Sequence, residues 1–222
     1  MTRPLVLADA QTARDVLTFA GRAAQAASEG VRLQASDGVL VLTAAPLAPQ
    51  GLFDQTPTVL ALRVVRADPE LRCDIVVDSL GETDAGNELC LPDVGRSPAW
   101  AGIAPPRGGW EPRAGLPAHT IAERAQWGIS AVAHGTPPGA GEEAVRALRA
   151  RIWGEPDEAL LGLPRGVAFA AHAFGFISGA EQVRVTVSGR WTRLAFQRGH
   201  VLSRGPAAVG LTSVRTTGSS AG

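Results

Sequence analysis

Lysine and tyrosine are missing from all 222 residues, and every one of the 21 basic residues is arginine. That bias follows from GC-rich codons and needs no functional cause. Net charge is missing too, because 21 acidic residues balance the arginines, so bulk charge predicts no partner. Cysteine is scarce: Cys73 and Cys90 could pair, but their spacing fits no zinc pattern and nothing demands a bridge. No window reaches about 18 apolar residues, the length of a membrane span. The start, Met-Thr-Arg-Pro-Leu-Val-Leu-Ala, lacks a long apolar leader run. A soluble cytoplasmic protein without membrane contact is expected. Gly-x-Ser-x-Gly and phosphate-binding glycine loops are absent, which leaves acyl transfer and nucleotide chemistry unsupported, although triads of distant residues stay open. His119, His134, His172 and His200 sit in separate segments without metal-ligand spacing, so neither a metal site nor a cofactor is expected. His172, inside an apolar run, is expected to be a core histidine with a hydrogen-bond partner.

What is present is concentrated in the stretch from Pro164 to Arg204. Val167, Ala170, Ala171, Phe174 and Ile177 recur at helical spacing, and Phe169, Ala173 and Phe176 add a second apolar row. A helix apolar nearly all round is a buried one. The period then changes to two, with Val183, Val185 and Val187 alternating with Arg184, Thr186 and Ser188. Gly189-Arg190 suits a two-residue hairpin loop with glycine first, which pairs Val185 with Leu194 and Val183 with Phe196. A second turn at Arg198-Gly199 would set Phe196 opposite Val201 and Arg193 level with Arg204. Inward residues are then apolar on three strands.

Earlier in the chain, Pro4 to Ala8 reads as a strand, and Thr12 with Asp15 forms a capping-box pattern opening a helix to about Ser28. Gly30 ends it. Val31 to Ala35 and Val39 to Ala44 flank Asp37-Gly38, the strongest short hairpin signal. Thr58 to Val65 and Cys73 to Val77 read as further strands. From Gly81 to Pro117 six prolines and seven glycines interrupt any period, so this stretch reads as a long loop. Two helices follow, Thr120 to Ala133 with a second capping box at Thr120 and Glu123, and Glu142 to Trp153 with a Glu142–Arg146 pair outside.

Sliding the chain over itself by 152 positions brings Val31–Leu42 onto Val183–Leu194 without a gap, with both proposed turns at the same offset. Each segment follows a helix rich in Ala and Phe. Two copies of strand, helix and three-stranded meander result. On these residues, Thr12 to Ala44 with its Ser-Asp-Gly-Val-Leu-Val-Leu-Thr and Pro164 to Leu202, the chain resembles one domain of the bacterial DNA polymerase sliding clamp. The resemblance implies an α+β fold: a doubled helix-plus-antiparallel-meander, clamp-like domain carrying a Pro/Gly-rich, mostly helical insertion. The organisation expected is a first half over 1–79, an insertion over 80–163, a second half over 164–205 and a flexible tail over 206–222. A clamp subunit has three such domains where this chain has room for one. Clamp helices that line the DNA hole tend to be basic, whereas Val167 to Ile177 is nearly uncharged. The resemblance therefore implies a fold and not ring formation or replication.

Two charge blocks and a tryptophan loop remain. Asp68 to Asp93 holds eight carboxylates against Arg72 alone. It reads first as a solvated acidic surface, the alternative being a divalent-metal or catalytic carboxylate cluster with Asp78, Glu82 and Asp84 as its best candidates. Trp100 and Trp110 flank Gly-Ile-Ala-Pro-Pro-Arg-Gly-Gly and either dock that loop on the core or line a partner site. Residues from Gln182 onward hold six arginines and no carboxylate, and Arg184, Trp191, Arg193 and Arg204 share one outward face in the proposed register. Arginine with an aromatic on a sheet is suited to phosphates and bases, but docking of the acidic segment over this face is the favoured reading. The sequence thus points to a non-catalytic binding or scaffolding protein. Its contact would be to nucleic acid through the arginine face or to a protein through the tryptophan loop, with a homo-oligomer also open. The rival is a small hydrolase or lyase with its site between residues 68–93 and the loop 98–113.

Overall fold

A computed structural model describes residues 4–205 apart from 27, 52 and 93. The tail expected over 206–222 and Asp93 lie outside the described residues. The chain runs β1 (Pro4–Val6), α1 (Ala10–Gln25), β2 (Val31–Ser36), β3 (Val39–Leu47), β4 (Thr58–Arg66), β5 (Cys73–Val77), β6 (Gly81–Glu82) and β7 (Glu88–Cys90). It continues through β8 (Glu111–Pro117), α2 (Ala118–Gly135), α3 (Glu142–Gly154), β9 (Pro156–Asp157), β10 (Leu163–Pro164), α4 (Gly166–Ala173), β11 (Gln182–Ser188), β12 (Trp191–Phe196) and β13 (Gly199–Arg204). Eight strands form one antiparallel sheet in the order β5-β2-β3-β4-β13-β12-β11-β8, and β1, β7 and β6 form a small second sheet. Outward from the central β4–β13 pair, each side repeats a three-stranded meander and then an edge strand. This is the doubling that the 152-residue offset implies, and α1 and α4 precede the two meanders.

The hairpins obey their turn chemistry. At the β2–β3 turn Asp37 and Gly38 both take positive φ, 53° and 78°, and Leu33 faces Leu42 as the alternation requires. At the β11–β12 turn Gly189 takes φ 56° and Val185 faces Leu194. The next turn departs from expectation. Phe196 pairs with Gly199 and Leu194 with Val201, so the loop is Gln197-Arg198 and Gly199 belongs to the strand. The reason is packing: a Cβ on Gly199 would stand 2.4 Å from the Phe176 ring. The slip is two residues, so every side chain keeps its face, but Arg204 now pairs with Trp191 and Arg193 with Leu202.

One core fills the space between the sheet's inner face and the helices. Leu33, Leu42, Val185, Leu194 and Val201 meet Val16 and Phe19 of α1 and the buried residues of α4 there. α4 lies close to the sheet because it is small: a Cβ on Gly166 would stand 2.9 Å from Leu47 and 3.1 Å from the Trp153 carbonyl. The helix stops at Ala173, four residues short of expectation. Gly175 takes φ 65°, and the Arg22 guanidinium occupies the place of its missing Cβ while donating to the Phe174 carbonyl. Phe174 and Phe176 still enter the core, Phe174 at 4.8 Å from the Phe19 ring. His172, expected in the core, is exposed on the last turn of α4.

Neither capping box forms. Asp9 caps α1, accepting from the Thr12 N–H at 2.7 Å, and Asp15 pairs with Arg63 instead. β8 leads straight into α2, whose Ala118 N–H donates to the Glu181 carbonyl at 3.0 Å, so no side-chain cap is needed. Glu142 and Arg146 both stay exposed and form no ion pair. The stretch 81–117, read as a loop, supplies β6, β7 and the edge strand β8. Pro112 and Pro117 lie in this edge strand, where one ladder side is unpaired. Cys73 and Cys90 are free thiols.

Candidate functional site

The outer face of the large sheet, away from the helices, carries the predicted arginine residues. Following the register from β11 to β4, one cross-strand row reads Arg184, Ala195, His200, Leu62, and the next reads Thr186, Arg193, Leu202, Leu60. Alternation alone places these side chains on one side. Residues 94–110 cross this face as a strap. At one end Arg96 bridges to Val76, Arg32 Nη1 donates to the Ala101 carbonyl at 2.7 Å, and Trp100 Nε1 donates to the Glu29 carbonyl at 3.3 Å. At the other end Ser188 Oγ donates to the Gly108 carbonyl at 3.2 Å. Under the strap Trp100 and Trp191 join Leu60, Leu202, Ala45 and Val76 in a second apolar cluster, at 4% and 6% exposure.

The structure therefore separates the six predicted residues into two groups. Trp100 and Trp191 are buried and fasten the strap. Arg193 and Trp110 are brought together, the guanidinium lying 4.5 Å above the indole ring while its Nε donates to Thr186 Oγ1 at 3.3 Å. Trp110 is itself fixed through Nε1, which donates to the Pro106 carbonyl at 3.2 Å. Arg184 is exposed beside them, and Arg204 is half-buried at the far end of the face next to Arg190 and Thr58.

His200 is the residue that sequence reasoning passed over. It sits between β12 and β4, its Nδ1 is buried without a partner, and burial, then the positive charges of Arg193 and Arg184, hold its pKa below the ordinary histidine value. The alternation of His200, Leu202 and Arg204 along β13 was the available signal. Burial and these charges favour the neutral imidazole, which adds a polar atom on the strand next to Arg193.

The acidic segment does not cover this face, contrary to the favoured expectation. Asp74 pairs with Arg32, Asp78 with Arg96, and Arg72 with Asp37, all at the β5 edge. β5 lies five and six strand positions from β12 and β11, about 24 to 29 Å at ordinary strand spacing. Among the described residues no salt bridge reaches Arg184, Arg193 or Arg204. Nor do Asp78, Glu82 and Asp84 converge. The open cavity between β5 and the strap contains Asp74, already bound to Arg32, and none of those three. Among the described residues no group of three or more His, Cys, Asp or Glu side chains could hold a metal ion, and no helix is long and apolar enough to cross a membrane.

The class is then α+β, a doubled helix-and-meander domain with a strapped sheet. The chain matches one domain of unknown function (DUF8010) over residues 1–102 and another (DUF8185) over residues 105–208. It is similar to the DNA polymerase sliding clamp from Caulobacter crescentus, at 12% identity and TM-score 0.49, over 98% of this chain and 69% of that one. It is also similar to the sliding clamp (DNA polymerase III subunit beta) from Bartonella birtlesii in complex with griselimycin, at 11% identity and TM-score 0.48, over 92% of this chain and 65% of that one. The chain thus spans about two thirds of the clamp chains it matches. No curated protein matches it.

Proposed function

We propose that this chain is a non-catalytic binding protein whose sheet face at Arg184 and Arg193 holds the phosphate backbone of a single-stranded nucleic acid. The observation that carries the reading is the pair of arginines without a carboxylate partner among the described residues, near enough to lower the His200 pKa, with Arg193 held in place by the Trp110 ring. A guanidinium stacked on an indole and hydrogen-bonded through Nε is pre-oriented, so little side-chain entropy remains to be lost when an anion arrives. The strap limits the footprint to the β11–β12 end of the face. Trp191, covered by Trp100, offers no free ring for a base.

Contacts to phosphates release counterions, so affinity for a labelled oligothymidine should fall steeply between about 50 and 200 mM salt. Each single-strand phosphate contact contributes about 0.7 to the log–log slope, so Arg184→Ala with Arg193→Ala should flatten it by about 1.4. Absence of binding at low salt, or an unchanged slope in the double variant, would show that the arginines serve another end.

A further inference from the structure

A second opening, with a mostly apolar lining, lies elsewhere. A cavity of about 460 Å³ lies between α3, the end of β3 at Ala45 to Ala48, and Trp100 of the strap. That size falls within the range of small-molecule sites. Its walls are Ala45, Leu47, Trp100 and Trp153. Two polar groups in its wall are poorly matched among the described residues. Trp153 is 1% exposed, and its Nε1–H is buried without an acceptor. The opposite edge of its indole, Cε3, Cζ3 and Cη2, faces Gly128 of α2, so the N–H edge points away from that helix. Arg149 is half-buried with its guanidinium 5.1 Å from the Phe169 ring centre. Among the described residues its one hydrogen bond is a long 3.3 Å contact to the Ala26 carbonyl, and no carboxylate is within salt-bridge reach. A desolvated guanidinium without an anion and a buried N–H without an acceptor are both costly. A carboxylate in the cavity would supply the anion that Arg149 lacks.

The acidic residues of the lining do not take that place. Asp54 is engaged by the N–H groups of Gln50 and Thr56 and by Thr56 Oγ1, while Glu29 and Glu142 are exposed on the rim. Arg146 stands on the same rim and offsets one of these two carboxylates, so the rim keeps a net negative charge that disfavours a doubly charged ligand more than a singly charged one. We infer that the cavity between α3 and the strap is a binding site for a small organic monoanion, a carboxylate on an apolar body, held by Arg149 and packed against Trp100, Trp153 and Leu47. This site shares no residue with the arginine face, so it stands or falls separately.

The test uses the full chain and 1-naphthoate as probe, with 1-naphthalenemethanol as its neutral counterpart and 1-naphthyl phosphate as the doubly charged one. The Trp153 indole N–H resonance, assigned with Trp153→Phe, should move on titration with 1-naphthoate. The alcohol should bind at least about tenfold more weakly, the scale of one hydrogen bond to a charged group, and the phosphate more weakly than the carboxylate. Arg149→Gln should remove the preference for the carboxylate over the alcohol. Because Arg149 also packs on Phe169, a fold check by circular dichroism accompanies that variant. If it does not fold, the comparison of the three probes on wild-type protein, with Ala140→Trp to fill the cavity mouth and abolish the Trp153 response, decides. Equal binding of the alcohol, tighter binding of the phosphate, or a response confined to other tryptophans overturns the assignment.

Discussion

Phe174 shows how much of the molecule can hang on one side chain. It is 1% exposed and touches the Phe19 ring of α1 on one side and the Phe176 ring on the other, while its carbonyl holds Arg22. Phe174→Ala should cost about 3–5 kcal/mol, the range for a large buried aromatic. A loss under about 1 kcal/mol in a urea titration would mean that the end of α4 is peripheral. His200 makes a prediction of different kind. Its pKa is lowered in the folded state, so as pH falls through about 6.5 the unfolded chain takes up a proton that the native imidazole still refuses. Stability from this group is therefore complete above that value and declines below it, until the native pKa is passed. His200→Gln should flatten the stability curve measured between about pH 7 and 5, and an unchanged slope would assign the acid sensitivity to other groups.

Elements differ in how openly the sequence declares them. The hairpins are plain in the sequence because Asp37-Gly38 and Gly189-Arg190 fix turn type and register locally, and alternation does the rest. The arginine rows on the outer face are readable for the same reason, since even a two-residue slip leaves a side chain on its own side. Three kinds of feature escape. Helix ends were misplaced where the backbone found another partner, as at Asp9 and at Ala118. β8 was hidden because Pro112 and Pro117 erase its period, and its existence depends on the ladder offered by β11, about 65 residues later. Burial of Trp191 depends on the path of an aperiodic strap, which no local pattern encodes. The α2–α3 contact belongs to this last group: a Cβ on Gly128 would stand 2.1 Å from the Trp153 ring. Gly128→Ala gains helix propensity at the α2 side but overpacks the ring. Melting should show a net loss of about 1–3 kcal/mol, and a more stable variant would mean that Trp153 can withdraw.

At the scale of the whole molecule, the two matched domains meet at residues 103–104, within the strap, while the folded halves meet along β4 and β13. These are different places, and the difference has a mechanical consequence. The strap is one covalent crossing of the outer face. The seam is a run of five paired positions from Thr58 with Arg204 to Leu62 with His200, backed on the inner side by α4, which packs on both β4 and β13. Phe19 against Phe174 and Arg22 against the Phe174 carbonyl tie the halves again. Separating them would uncover a long, flat, apolar strand edge on each side, which proteins avoid. Each half is therefore expected to need the other in order to fold, although each matches its own domain of unknown function. A protease site placed between Ala104 and Pro105 tests this on the folded protein. After cleavage the two pieces should elute together on size exclusion and unfold in one transition, because the seam and shared core remain intact. They should part only in denaturant, and each piece purified alone should lack the near-ultraviolet signal of packed aromatics. Elution as two folded monomers would show that the β4–β13 pairing is incidental and that the sheet is two sheets laid edge to edge.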